Sequence, residues 1–245
     1  MSRLALARFL VRSFWIGAVA SVLVVRPADG ANSGAISFRV CALERMEHPL
    51  VFDRGGTEVK IHPAQHRRSD AIDVLAASTL RFYEVRADEV QLPRPRRGEP
   101  AATVAIPAGV RRPLLLFEPA PSRGDGKYNV FVVDDSWADH PAGSVRVLNL
   151  STLQMAARVA RQQIVIEPGK VETVSITNPK ATHLSAKIAL NSPDGWRVDY
   201  DGVHQVLPRM RFLFVCRAIP KRDGVVGLDV TLLRDFEPNS AQLER

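Results

Sequence analysis

Histidines, cysteines and paired acids are the side chains of this 245-residue chain whose types and spacing could do chemistry. His62 and His66 stand four apart, the interval that sets two metal ligands on one helix face. Pro63 lies between them and the preceding residues read as strand, so that geometry is lost and no metal is expected. His48, His140, His183 and His204 are scattered near expected loops and read as solvated. Asp134 and Asp135 are adjacent, which on a strand points them to opposite faces, whereas Asp199 and Asp201 are spaced to share one. Nothing around the second pair marks a substrate pocket. The chain carries no nucleophile elbow, phosphate loop or dinucleotide fingerprint. No cofactor and no catalytic residue is therefore nominated, and an enzyme would need an active site assembled between distant segments.

Arginines form the other candidate site. Arg94, Arg96 and Arg97 lie in a Pro-rich stretch, Arg111 and Arg112 precede one apolar run, and Arg209 and Arg211 precede another. Together they are candidates for contact with an anionic surface, either lipid head groups or an envelope polymer. The plainer alternative is loop and edge-strand charge that discourages sheet-to-sheet aggregation.

The segments that must position these residues repeat. Phe38–Leu43 matches Val145–Leu150, and Val59–Pro63 matches Ile164–Pro168. Leu80–Phe82 can be set loosely against Lys187–Ala189, and Leu114–Pro121 aligns with Leu213–Pro220. An Arg and an Asp-Gly pair follow each copy, at Asp125-Gly126 and Asp223-Gly224, and the last apolar runs end on Asp135 and Asp235. Four matches in one order indicate an internal duplication. On this alignment Cys41 corresponds to Leu148 and Cys216 to Phe117. Both thiols thus occupy apolar positions in different copies and are expected to be free and buried. The recurrence of Asp135 as Asp235 suggests a strand-end residue that caps a turn.

Each copy reads as β-structure. Its apolar stretches are short, rich in Val, Ile, Leu and Phe, and divided by Pro, Gly, Asp and Ser. Leu114–Phe117 and Phe212–Cys216 are unbroken apolar runs, as strands buried on both faces would be. Residues 69–78 suit a helix or a strand equally. About seven strands per copy suits an immunoglobulin-like sandwich. The expected fold is all-β, with two tandem immunoglobulin-like domains over 35–135 and 144–236, a linker over 136–143 and a C-terminal tail over 237–245.

Residues 1–30 carry Arg3, Arg8 and Arg12 ahead of an apolar run from Phe14 to Val25, the pattern of a signal peptide. The run is shorter than the roughly 20 residues a membrane helix needs, so no transmembrane span is expected in the mature chain. The leader holds four arginines and one aspartate; the remainder has 29 basic and 25 acidic residues, a net +4. So mild a balance argues against nucleic-acid binding. The expected location is exported, periplasmic or at the cell surface. The expected role is a non-enzymatic binding or structural module of the envelope, with an envelope protein or an anionic polymer as partner.

In size, mildly basic charge and paired sandwiches the chain is similar in outline to the pilus chaperone family. That resemblance implies action by β-strand addition, with a basic anchor in the interdomain cleft. The family's alternating donor strand with its double-proline end is not found in this sequence.

Overall fold

A computed structural model of the chain describes residues 35–75, 79–85, 98–120, 127–176, 182–193, 195–221 and 225–238. The leader, Arg94, Arg96, Arg97 and both Asp-Gly turns lie outside the described residues. Among those described there are sixteen strands and no helix. The first eight are β1 (Ala35–Ala42), β2 (Leu50–Arg54), β3 (Thr57–Ile61), β4 (Ile72–Leu75), β5 (Thr79–Glu84), β6 (Ala102–Ala105), β7 (Pro113–Pro119) and β8 (Tyr128–Asp134). The second eight are β9 (Ser144–Asn149), β10 (Met155–Val159), β11 (Gln162–Ile166), β12 (Val171–Ser175), β13 (His183–Ser192), β14 (Gly195–Gln205), β15 (Met210–Pro220) and β16 (Val226–Phe236). The ambiguous segment 69–78 thus contains a strand, β4.

The two sets fold identically. One sheet runs β4-β1-β7-β8 in the first domain and β12-β9-β15-β16 in the second; the other runs β3-β2-β5-β6 and β11-β10-β13-β14. In both, the first strand pairs parallel with the seventh, Cys41 opposite Leu116 and Leu148 opposite Val215. The chain is therefore two tandem immunoglobulin-like β-sandwiches with a repeated architecture, each of eight strands rather than seven.

Strand register fixes the repeat residue by residue. Leu114 pairs with Val133 as Leu213 pairs with Leu233, which makes Asp135 the counterpart of Asp235 and Arg112 that of Arg211. One match shifts. Leu50 pairs with Ile61 and Glu84, and Met155 pairs with Ile166 and Leu190. Leu80 and Phe82 therefore correspond to Ala186 and Ile188, one residue from the sequence alignment. A one-residue slip would have turned their side chains to the wrong face. The first hairpin turns through Gly55 and Gly56, with φ of 61° and 90°; its counterpart puts Ala160 at φ 53°.

Each sandwich encloses its own apolar core, one built around Phe38, Phe52, Phe82 and Phe117 and the other around Phe212, Phe214, Met155 and Ile188. A third cluster lies between the domains. Leu114 and Leu116 alternate with Leu115 and Phe117 along β7, so one pair faces domain 2 and the other the domain 1 core. Leu213 and Val215 do the same on β15. The continuous apolar runs are strands buried on both faces, and the second face is buried by the other domain.

Both thiols are buried and free. Cys41 sits in the interdomain layer and Cys216 in the core of domain 2. Burial pushes the Cys41 thiol up to about 11 and raises that of Cys216 further.

Candidate functional site: an ion cluster and cleft between the domains

The strand starts of β7 and β15 lie at one end of the interdomain layer, where β8 and β16 finish. Ladder pairing brings Arg211 opposite Asp235 within domain 2. Arg39, on the outward face of β1, crosses the boundary. Its Nη2 donates to Asp135 Oδ2 at 2.6 Å and to Asp235 Oδ2 at 2.7 Å. Arg68 gives Asp135 two further bonds, from Nε and Nη2, each of 3.2 Å, and its Nη1 reaches the Arg234 carbonyl across the boundary. Three guanidiniums therefore share two carboxylates.

Arg211 is the centre of this cluster and is 0 % exposed. It donates to Asp235 at 2.7 Å and to the carbonyls of Asp135 at 3.1 Å, Ser136 at 3.3 Å and His140 at 2.8 Å. Its guanidinium also stacks 3.5 Å from the centre of the Trp137 ring. Two of those carbonyls belong to the linker and the third to the residue just before it, so this segment wraps around the arginine. Arg146 holds the same linker by donating to the Asp134 and Asp139 carbonyls. Burial works to raise the Asp235 pKa, but the Arg39 and Arg211 guanidiniums outweigh it and hold the group at about 2.

His140 is wholly buried in this linker, and neither ring nitrogen has a hydrogen-bond partner. Burial first, then the charges of Arg211 and Arg146, push its pKa down to about 3 despite Asp135 nearby. The expectation that it is solvated fails, because the domains close over the linker that carries it.

At the opposite end of the interface Arg217 donates to Glu44 at 2.9 Å, Glu118 at 2.8 Å and Asp229 at 2.5 Å. Glu44 and Glu118 belong to domain 1. The two domains are thus joined by an apolar layer with an ion cluster at each end.

A cleft of about 300 Å³ opens beside the first cluster. Arg39, Asp135 and Asp235 line its inner part. Ser37, Asp70, Arg112, Trp137 and Phe236 line the rest. Arg112 and Asp70 are exposed, and among the described residues neither side chain has an ion-pair partner.

These positions redistribute the arginines singled out from sequence. Arg111 and Arg112 are exposed at the start of β7. Arg209 is exposed and lies 3.5 Å from Glu237. Arg211 cannot contact an anionic surface, because it is enclosed and committed to Asp235, Asp135 and linker carbonyls. Asp135 and Asp235 are not turn caps either; they are the two acids of the interdomain cluster. The Asp199/Asp201 pair does not converge. A bulge in β14 breaks the alternation, and Asp199 binds Arg197 and Lys221 while Asp201 binds Lys187. His62 lines a separate concavity of about 650 Å³ with Arg45, Met46 and Glu47.

Arg39, Arg146 and Trp137 escaped the sequence search. The one usable signal was the repeat, which matches Arg39 with Arg146 on equivalent strands.

No family model matches the chain, and no curated protein matches it. Among solved structures it is similar to the two C2 domains, A and B, of extended-synaptotagmin 2, at 9% identity over 92% of this chain and 100% of that one, with a TM-score of 0.22. It is also similar to a putative cell adhesion protein from Bacteroides eggerthii DSM 20697, at 5% identity over 85% of this chain and 99% of that one, with a TM-score of 0.21.

Proposed function

We propose that this chain is a non-enzymatic, exported binding module of the cell envelope, and that the interdomain cleft is its ligand site. The carrying observation is the way the domains are joined. A sheet-on-sheet apolar layer, ion-paired at both ends, holds the domains together, and the cleft is a concavity formed at its edge. Domain boundaries are among the places where ligand pockets preferentially occur. The acids on its inner wall are committed to guanidiniums, and Asp235 is kept ionised, which suits positioning of a ligand rather than proton transfer. Export rests on the pattern of residues 1–30.

The test is affinity purification of the tagged mature chain from its native envelope, with mass spectrometry of what accompanies it. A stoichiometric envelope component supports the reading. Hydrolase activity in the purified chain that one substitution abolishes would overturn it.

A second reading, β-strand addition, draws on β14. This eleven-residue strand lies at a sheet edge, pairs only with β13 among the described residues, and leaves Val198 and Val203 exposed. The bulge at Asp199 works against it, since bulges blunt edges. A pilin-like strand captured along β14 is the result that would favour this reading.

A further inference from the structure

The duplication supplies an internal control for the cleft. Arg112 and Arg211 occupy equivalent positions, one residue before the equivalent Pro113 and Phe212. The arginine of domain 2 has a complete environment, with a carboxylate in hydrogen-bond contact, an aromatic ring on its face and carbonyls around its rim. The arginine of domain 1 has none of these. Asp135, which stands opposite Arg112 and donates its backbone N–H to the Arg112 carbonyl at 2.9 Å, gives its carboxylate to Arg39, Arg68 and Arg211 instead. Arg112 is thus the arginine of the repeat left without a counter-ion among the described residues, and it lines the cleft.

The remaining unengaged groups narrow the ligand. Asp70 offers carboxylate oxygens, and Ser37 a hydroxyl with no partner among the described residues. Trp137 and Phe236 add aromatic wall, with Phe236 50 % exposed. Taken with the two arginines behind the inner wall, the charges are Arg39, Arg68, Arg112 and Arg211 against Asp70, Asp135 and Asp235, a net +1. That balance favours a ligand carrying one negative charge over a zwitterion or a cation. A hydroxylated ring bearing a carboxylate meets every demand. Its carboxylate pairs with the Arg112 guanidinium, which presents a planar fork. Its hydroxyls donate to Asp70, and its C–H face lies against the aromatic wall. We infer that the cleft binds an acidic saccharide, one uronic-acid residue of an anionic polymer. This rests on the cleft being the ligand site of a binding module.

The experiment is calorimetric titration of the full mature chain with a tetragalacturonate, a neutral tetragalactoside and free glutamate. The expected result is binding of the uronate alone, weakened at least tenfold by Arg112→Gln and several-fold by Asp70→Asn. Arg158→Gln, on the far sheet of domain 2, should leave it unchanged. Thermal melts of each variant separate lost contact from lost fold. Equal binding of the neutral sugar, binding of glutamate in its place, or uronate binding indifferent to Arg112→Gln would each overturn the assignment. If no saccharide binds yet an envelope protein co-purifies stoichiometrically, the acidic-saccharide inference fails while the binding-module reading stands.

Discussion

Replacing Arg211 with Met keeps most of the stem volume and removes the guanidinium from the centre of the interdomain cluster. Two effects compete. Taking a cation out of a buried group of three arginines and two aspartates relieves desolvation, and exchanging buried ion pairs for apolar side chains is often neutral or better. Here the acceptors remain. The carbonyls of Asp135 and His140 lose the Arg211 donor while the linker still encloses them, whereas that of Ser136 keeps the His140 N–H, and each unsatisfied buried acceptor costs about 1–3 kcal/mol. Asp235 keeps Arg39 as its one ion-pair partner among the described residues, together with the Phe236 backbone N–H. The loss should win, at about 4 kcal/mol, within the range for breaking a buried pair. In a unit of roughly 200 residues 1 kcal/mol moves Tm by about 2–4 °C, so a drop of about 8–16 °C is expected by scanning calorimetry. Arg112→Met supplies the comparison, because the same change at the equivalent position touches an exposed, unpaired side chain and should stay within about 0.5 kcal/mol. Equal shifts for the two variants would refute the claim that the linker and its arginine lock the domains together.

Three further outcomes follow from the same packing. His140 is held neutral with its pKa near 3, below the unfolded value of about 6.5, so the unfolded chain binds the extra proton. Stability is then fully present above pH 6.5 and lost as pH falls toward 3, by about 2 kcal/mol at pH 5; denaturant melts of His140→Phe should lose most of that slope. Cys41 and Cys216 should both resist a thiol reagent in the native protein and react together on unfolding, whereas one fast thiol would contradict their burial. Leu116→Asp places a charge in the interdomain layer without touching either sandwich core. It should open the 136–143 linker to limited proteolysis while both domains keep their β-sheet signal.

How far the sequence could be read depended on whether a feature was local or borrowed. Strand identity is local, and the alternation of apolar residues with turn residues was enough to place most strands. The repeat was legible where both copies keep large apolar side chains, as at Leu114–Phe117, and slipped by a residue at Leu80, where the partner is a small Ala186. The doubly buried runs announced that something covers β7 and β15, yet a run of leucines does not say what. The covering surface is the other domain, and only the fold brings residues as distant in sequence as Leu116 and Val215 into one layer. The ion cluster was hidden for the same reason. Arg39, Arg68, Asp135, Arg211 and Asp235 come from five separate segments, so no spacing rule links them, and an isolated arginine looks alike whether it meets water or a buried aspartate.

The interdomain layer also explains why a duplicated chain would carry a single asymmetric site. Its members match one another in pairs across the repeat: Cys41 with Leu148, Leu43 with Leu150, Leu114 with Leu213, Leu116 with Val215, Val133 with Leu233. Two copies of one sandwich thus meet through the same face, as subunits of a symmetric dimer do. Identical copies would oppose like charges wherever a charged position lies near the axis. At Glu118 and its counterpart Arg217 that problem is resolved by opposite charges, 2.8 Å apart. At the other end both copies keep an arginine, and the linker, which exists only once, can enclose only one. Enclosing Arg211 uses up both aspartates and leaves Arg112 at the cleft. The proposed ligand site therefore lies where the symmetry of the fused pair breaks, and a site of that origin need have no counterpart elsewhere on the molecule.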